Sequence, residues 1–120
     1  MSRHILSVSY DEQLLTTRRM LLEREGYKIT SALSRAEAVA RCKEGAFDLL
    51  ILGHSLPTAD KQELIAVFRR SSAAPILSLR RQGEPMVAAA DYNVLPDSPE
   101  DLLKTVANIF TKDSSPPEFN

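Results

Sequence analysis

The sequence predicts an α/β domain in which five parallel strands alternate with helices on both faces. Three observations carry the prediction. Short apolar runs at Ile5 to Val8, Leu49 to Leu52 and Ile76 to Leu79 end abruptly in polar or turn-type residues, as strands buried on both faces of a parallel sheet do. The segments between the runs carry apolar residues at helical spacing behind helix-start signals. Finally, 120 residues with 43% hydrophobic and 26% charged content suit one ordinary globular domain.

Each element has its own justification. Ile5 to Val8 is the first strand, broken by Ser9-Tyr10-Asp11. Asp11 and Glu12 suit the positive first turn of a helix that runs to about Glu25, with Leu14, Leu15, Leu21 and Leu22 buried and Arg18-Arg19 on a solvated face. Lys28 to Ala32 is the second strand, with Ile29 as its clearest core contact. Ser34 followed by Glu37 has the capping-box form, and the second helix turns Ala36, Val39 and Ala40 inward and stops near Gly45. Leu49 to Leu52, inside Phe47 to Pro57, is the central strand. Pro57 and Thr58 open the next connection, to a third helix marked by Leu64, Ile65 and Phe68, and Pro75 starts the fourth strand. Arg80 to Ala90 contains Gly83 and Pro85 and leaves room for only a shortened fourth helix. Tyr92 to Leu95 is the last strand. Ser98 caps the last helix with Pro99 at its first position, and Leu102, Leu103, Val106 and Phe110 form its apolar face. The domain spans 3–111, and 112–120, KDSSPPEFN, is a polar, Pro-rich flexible tail or linker.

Right-handed crossovers leave few ways to wind such a chain. The most economical is the flavodoxin-like doubly wound order 2-1-3-4-5, whose switch point lies between strands one and three. That order brings Ser9, Tyr10 and Gly53 to one crevice. The totals exclude other classes. A net charge of -1 gives no basic excess for nucleic acid. One cysteine, Cys42, can form neither an internal disulfide nor a cysteine-built metal site, and it fits a reducing cytoplasm. It reads as a small buried hydrophobe. No stretch is apolar enough to span a membrane, and no phosphate-binding glycine loop is present. Ser55 and Ser78 have no histidine or acid at triad spacing.

LEREGYKITSALSRAEAVARCKEGAFDLLIL, then SLP, PILSL, DYNVLP and SPEDLL, in that order and spacing, resemble the receiver domains of bacterial two-component response regulators over residues 3–111. The resemblance implies phosphoryl transfer onto an aspartate at the end of strand three. Two acidic residues after strand one would hold a divalent cation there, with a threonine or serine ending strand four and a lysine ending strand five. Clustered carboxylates need a hard cation such as magnesium to offset their repulsion. On this sequence the acidic pair falls on Ser9 and Tyr10, the acceptor on Gly53, the hydroxyl on Arg80 and the lysine on Leu95. A shifted register would offer Asp11 and Glu12, but the apolar run ends at Val8. Pro57, the switching aromatic Tyr92 and Pro96 keep the family pattern, and the stretch from Arg80 to Leu95 is shorter than in the family. The expectation is a pseudo-receiver: a phosphorylation-independent, cytoplasmic signalling domain in a two-component or related pathway. It would have no enzymatic activity, no metal and no cofactor, Mg2+ included. It would work through a protein partner, an attached output domain or a homodimer, without nucleic acid or membrane contact.

Several residues admit a second role. Arg80 either reaches into the vacated crevice as an anion clamp or forms a solvated loop pair with Arg81. Tyr10 fills the place of the metal or lies exposed on its loop. Tyr92 keeps a switching or interface role or simply packs on an edge strand. His54 reads as a loop histidine, pointing away from the direction of residue 53 by strand alternation. The alternative function is a small-ligand or anion sensor with a crevice at Ser9, Tyr10, Gly53 and Arg80.

Overall fold

The computed structural model describes residues 3–95 and 98–114. Five strands form one parallel sheet in the order β2-β1-β3-β4-β5, the order predicted. The elements run β1 (His4–Val8), α1 (Glu12–Arg24), β2 (Lys28–Ala32), α2 (Arg35–Cys42), β3 (Leu49–Leu52), α3 (Thr58–Ser71), β4 (Ile76–Leu79), β5 (Tyr92–Val94) and α4 (Pro99–Ser114).

All four side chains of β3 are fully buried, because its neighbours β1 and β4 cover both edges and helices cover both faces. Leu50 and Leu52 pack with Ala38, Cys42, Leu64 and Phe68 of α2 and α3. Leu49 and Ile51 pack with Leu22 of α1 and with Leu102, Val106 and Phe110 of α4. Truncating any of these four to alanine should cost about 2–5 kcal/mol.

Local signals set most helix starts. The Asp11 carboxylate accepts from the Leu14 N–H at 3.1 Å, and the Ser34 hydroxyl accepts from the Glu37 N–H at 3.1 Å. The Glu37 carboxylate reaches back to the Leu33 N–H at 2.8 Å, closing the capping box one residue before its usual partner. The Ser98 hydroxyl accepts from the Asp101 N–H at 3.2 Å.

Several expectations need correction. No fourth helix lies between β4 and β5: residues 80–91 form two short turns joined by irregular chain. Gly83 there has φ +89°, a left-handed conformation that interrupts a helix, and Pro85 supplies no N–H. In its place, Arg80 Nη1 donates to the Glu84 carbonyl at 2.9 Å and the Arg81 N–H to the Glu84 carboxylate at 2.8 Å. The Asn93 amide exchanges two hydrogen bonds with the Val87 backbone, at 2.9 and 3.1 Å. In α2 the buried residues are Ala38 and Cys42, while Ala36 and Ala40 are exposed and Val39 is half-buried. That helix begins at Arg35 behind its Ser34 cap, and this phase turns positions 38 and 42 to the sheet. In α1, Leu15, Arg18 and Leu22 are buried and Leu14 and Leu21 only partly so. Helix α4 continues through Ser114, so residues 112–114 of the expected tail are helical. Pro96 lies outside the described residues.

Candidate functional site

The crevice lies where β1, β3 and β4 end, the place where open α/β sheets carry their ligands. Ser9 is fully buried. Its hydroxyl bonds to the Ser55 hydroxyl at 3.1 Å and accepts from the Asp11 N–H at 3.1 Å. Ser55 Oγ also accepts from the Tyr10 N–H at 2.9 Å. Hydroxyls therefore tie the β1–α1 loop to the β3–α3 loop at the positions where the resemblance puts carboxylates. Tyr10 lies half-buried against the α2–α3 side, and its hydroxyl donates to Asp60 at 2.8 Å. Burial, then that hydrogen bond, pushes its phenol up to about 12.

Gly53 continues the alternation of Leu49 and Ile51, so a side chain there would turn towards α1. A Cβ would stand 3.0 Å from the Val8 carbonyl oxygen and 3.3 and 3.4 Å from Nη1 and Nη2 of Arg18. The guanidinium thus lies against the space that a residue 53 side chain would enter. Arg18 is only 6% exposed, which corrects its assignment to a solvated face. Its Nη1 is buried with no hydrogen-bond partner among the described residues, and burial pulls its pKa down to about 10. At neutral pH it remains a cation.

His54 lines the same cleft as Arg18, so it is not turned away from the site. The chain leaves the strand after Leu52 and turns at His54 and Ser55, which ends the alternation used to place it. Arg81 Nε donates to His54 Nδ1 at 3.2 Å, so that nitrogen is unprotonated. Burial, then Arg81 and Arg18, hold the imidazole pKa below its usual 6.5. Arg80 is half-buried and bound to its own turn through Glu84, with its Nε lacking a partner among the described residues. Leu95 lies beyond β5 and is 37% exposed. Tyr92 packs on the α1–α4 side, with Lys112 Nζ 6.0 Å from its ring centre.

Lys61, passed over in the sequence, is 3% exposed beneath the end of β4. Its ammonium donates to the Ser78 hydroxyl at 3.0 Å and the Leu79 carbonyl at 2.8 Å. Burial lowers its pKa, against a pull upward from Glu84. A helical-period signal marked both missed cations. Lys61 shares a face with Leu64, Ile65 and Phe68, and Arg18 shares one with Leu15 and Leu22. Among the described residues, no three His, Cys, Asp or Glu side chains are grouped to hold a metal ion, and no helix is long and apolar enough to cross a membrane.

No protein-family model matches the chain. It is 32% identical over 123 residues to the transcriptional regulatory protein ResD of Bacillus subtilis, covering 97% of this chain and 51% of ResD. It is 28% identical over 122 residues to the transcriptional regulatory protein SrrA of Staphylococcus aureus, covering 96% of this chain and 51% of SrrA. The chain thus spans about half the length of these curated relatives. Among solved structures, a two-component response regulator from Clostridium difficile superposes with a TM-score of 0.82 at 22% identity, over 95% of this chain and all of that one. Sequence likeness over nearly the whole chain, together with the shared fold, supports a response-regulator receiver (CheY-like) domain.

Proposed function

We propose that the chain is a phosphorylation-independent receiver domain, a pseudo-receiver that signals through protein contacts without turnover of its own. One observation carries the reading: the residue after β3 is a glycine, and a guanidinium lies against its side-chain space. The acceptor carboxylate is missing and a cation stands beside its place. Ser9 and Tyr10 offer hydroxyls bonded to Ser55 and Asp60 in place of a carboxylate pair, so we expect no Mg2+ requirement. The relatives are transcriptional regulatory proteins about twice this length. An attached output domain or a separate protein in a two-component pathway, in the cytoplasm, is therefore the partner we propose. Tyr92 and Leu95, at the sheet edge, are the candidate contact or homodimer residues.

The test is incubation with acetyl phosphate and Mg2+, followed by intact mass. The expected result is an unmodified chain. A phosphate adduct would overturn the reading.

A second reading, an anion sensor, draws support from the charges around the crevice. Arg81, Arg18 and Lys61 all act to lower the His54 pKa, and only Glu84 opposes them. Such a potential favours anions over cations. The crevice at Ser9, Tyr10, Gly53 and Arg80 is largely bonded internally, which directs attention to Arg18.

A further inference from the structure

We propose that the cleft between α1 and the start of α4 binds a small carboxylate with a short apolar body, its head group held by Arg18. This deepens the anion-sensor reading, on which it rests, and moves the site to the α1–α4 face of the sheet. The cleft measures about 270 Å³, just under the usual range of about 300–1,000 Å³ for ligand pockets, so its occupant is small. Its walls are mainly apolar, formed by Leu14 of α1, Leu79 at the end of β4 and Leu102 of α4. Arg18, His54 and Ser98 supply the polar groups. That composition, apolar walls with a few polar groups that set orientation, is the usual one for a small-molecule site.

Arg18 decides the head group. Its side chain is 6% exposed and lines the cleft; Nη1 is sealed from solvent and unpartnered among the described residues, so the other guanidinium nitrogens are the ones left to meet a ligand. A buried cation with an unmet donor is unfavourable on its own. The planar guanidinium fork matches a carboxylate, which it can bind through two parallel hydrogen bonds. Gly53 leaves the guanidinium room: a Cβ there would press on both terminal nitrogens at 3.3 and 3.4 Å. Near neutral pH His54 adds a neutral imidazole beside the site, with Nδ1 accepting from Arg81. Protein groups thus provide positive charge and apolar surface together, and an ionised carboxylate with a branched alkyl body complements both.

The experiment uses thermal melts and heats of binding of the purified chain with three probes: isovalerate, its neutral amide isovaleramide, and inorganic phosphate. Isovalerate at about ten times its Kd should raise the melting temperature by roughly 5 °C. Isovaleramide and phosphate should bind at least about tenfold more weakly, lacking the charge or the apolar body. Arg18→Met keeps the length of the side chain and removes the buried charge, so it should melt no lower than the parent and lose isovalerate binding by about 10- to 100-fold. Thr17→Phe narrows the cleft from its exposed rim without touching the core and should weaken binding even if Arg18→Met folds poorly. Isovalerate binding that survives both substitutions would overturn the site assignment while leaving the sensor reading in place. Binding of phosphate alone would overturn the apolar-body requirement. Failure of all three probes to bind would overturn the site and the sensor reading together, and the phosphodonor result would still stand independently.

Discussion

Restoring the acceptor carboxylate with Gly53→Asp should not restore phosphorylation, and Arg18 supplies the physical reason. The new Cβ would lie 3.0 Å from the Val8 carbonyl oxygen and within 3.4 Å of both Arg18 terminal nitrogens. The carbonyl contact is tight and involves backbone, so relieving it should cost about 1 kcal/mol. The carboxylate extends beyond that Cβ into the guanidinium. At about 4 Å and an effective dielectric near 20, their attraction is about 4 kcal/mol, offset by several kcal/mol for taking the carboxylate out of water. Net stability at pH 7 should stay within about 2 kcal/mol of the parent. The ion pair favours the charged carboxylate in the folded state and holds its pKa below the usual value. Its stabilising contribution is then fully present above the unfolded value of about 3.9 and is lost as pH falls through the folded value. Urea unfolding of variant and parent at pH 7 and pH 3 checks this: the variant should lose about 1 kcal/mol more than the parent between the two. Acetyl phosphate with Mg2+ should leave the variant unlabelled, because its carboxylate is paired with Arg18 and Ser9 and Tyr10 supply no metal-binding carboxylates beside it. Efficient labelling would refute the reasoning, and so would a stability difference that ignores pH.

Three further outcomes test the surrounding structure. The His54 imidazole, with its pKa lowered by burial and by Arg81 and Arg18, should titrate below 6.5 by NMR. The unfolded chain then binds the proton more readily, so the neutral ring supports the fold above 6.5 and loses that support as pH falls through the folded value; a midpoint above 6.5 would contradict the site's charge. Asn93→Ala removes both bonds to Val87 and should cost about 1–3 kcal/mol, with faster hydrogen exchange at the Val87 amide. Unchanged exchange would show that the β4–β5 turn is held by other contacts. Tyr10→Phe deletes the bond to Asp60 and should cost about 1 kcal/mol in urea unfolding; a neutral result would mean that the loop clamp rests on Ser55 alone.

Strand identities were legible because a buried parallel strand is predominantly apolar. Leu49–Leu52 and Ile76–Leu79 have the bounds their composition predicts. The helix starts at Asp11, Ser34 and Ser98 were legible for a similar local reason, since a cap is made by neighbours in sequence. The connection at 80–91 was less so. Gly83 and Pro85 signalled a poor helix, but the path that replaces it depends also on Asn93 of β5 reaching back to Val87.

The sheet order, the glycine that follows β3 and the changed residues around it were readable from the chain alone. The order follows from alternating elements wound by right-handed crossovers, and the rest from the identity of single positions. What stands beside that glycine is set by packing between segments distant in sequence. Arg18 read as a solvated charge because its type prefers water, yet α1 turns it to the sheet between Leu15 and Leu22. Gly53, from a strand far away in sequence, is the neighbour that leaves its guanidinium room. Lys61 is a second case, buried under β4 because Ser78 and the Leu79 carbonyl accept hydrogen bonds from its ammonium. A charged side chain is buried or solvated according to partners brought by other elements, and that information is absent from any local stretch of chain.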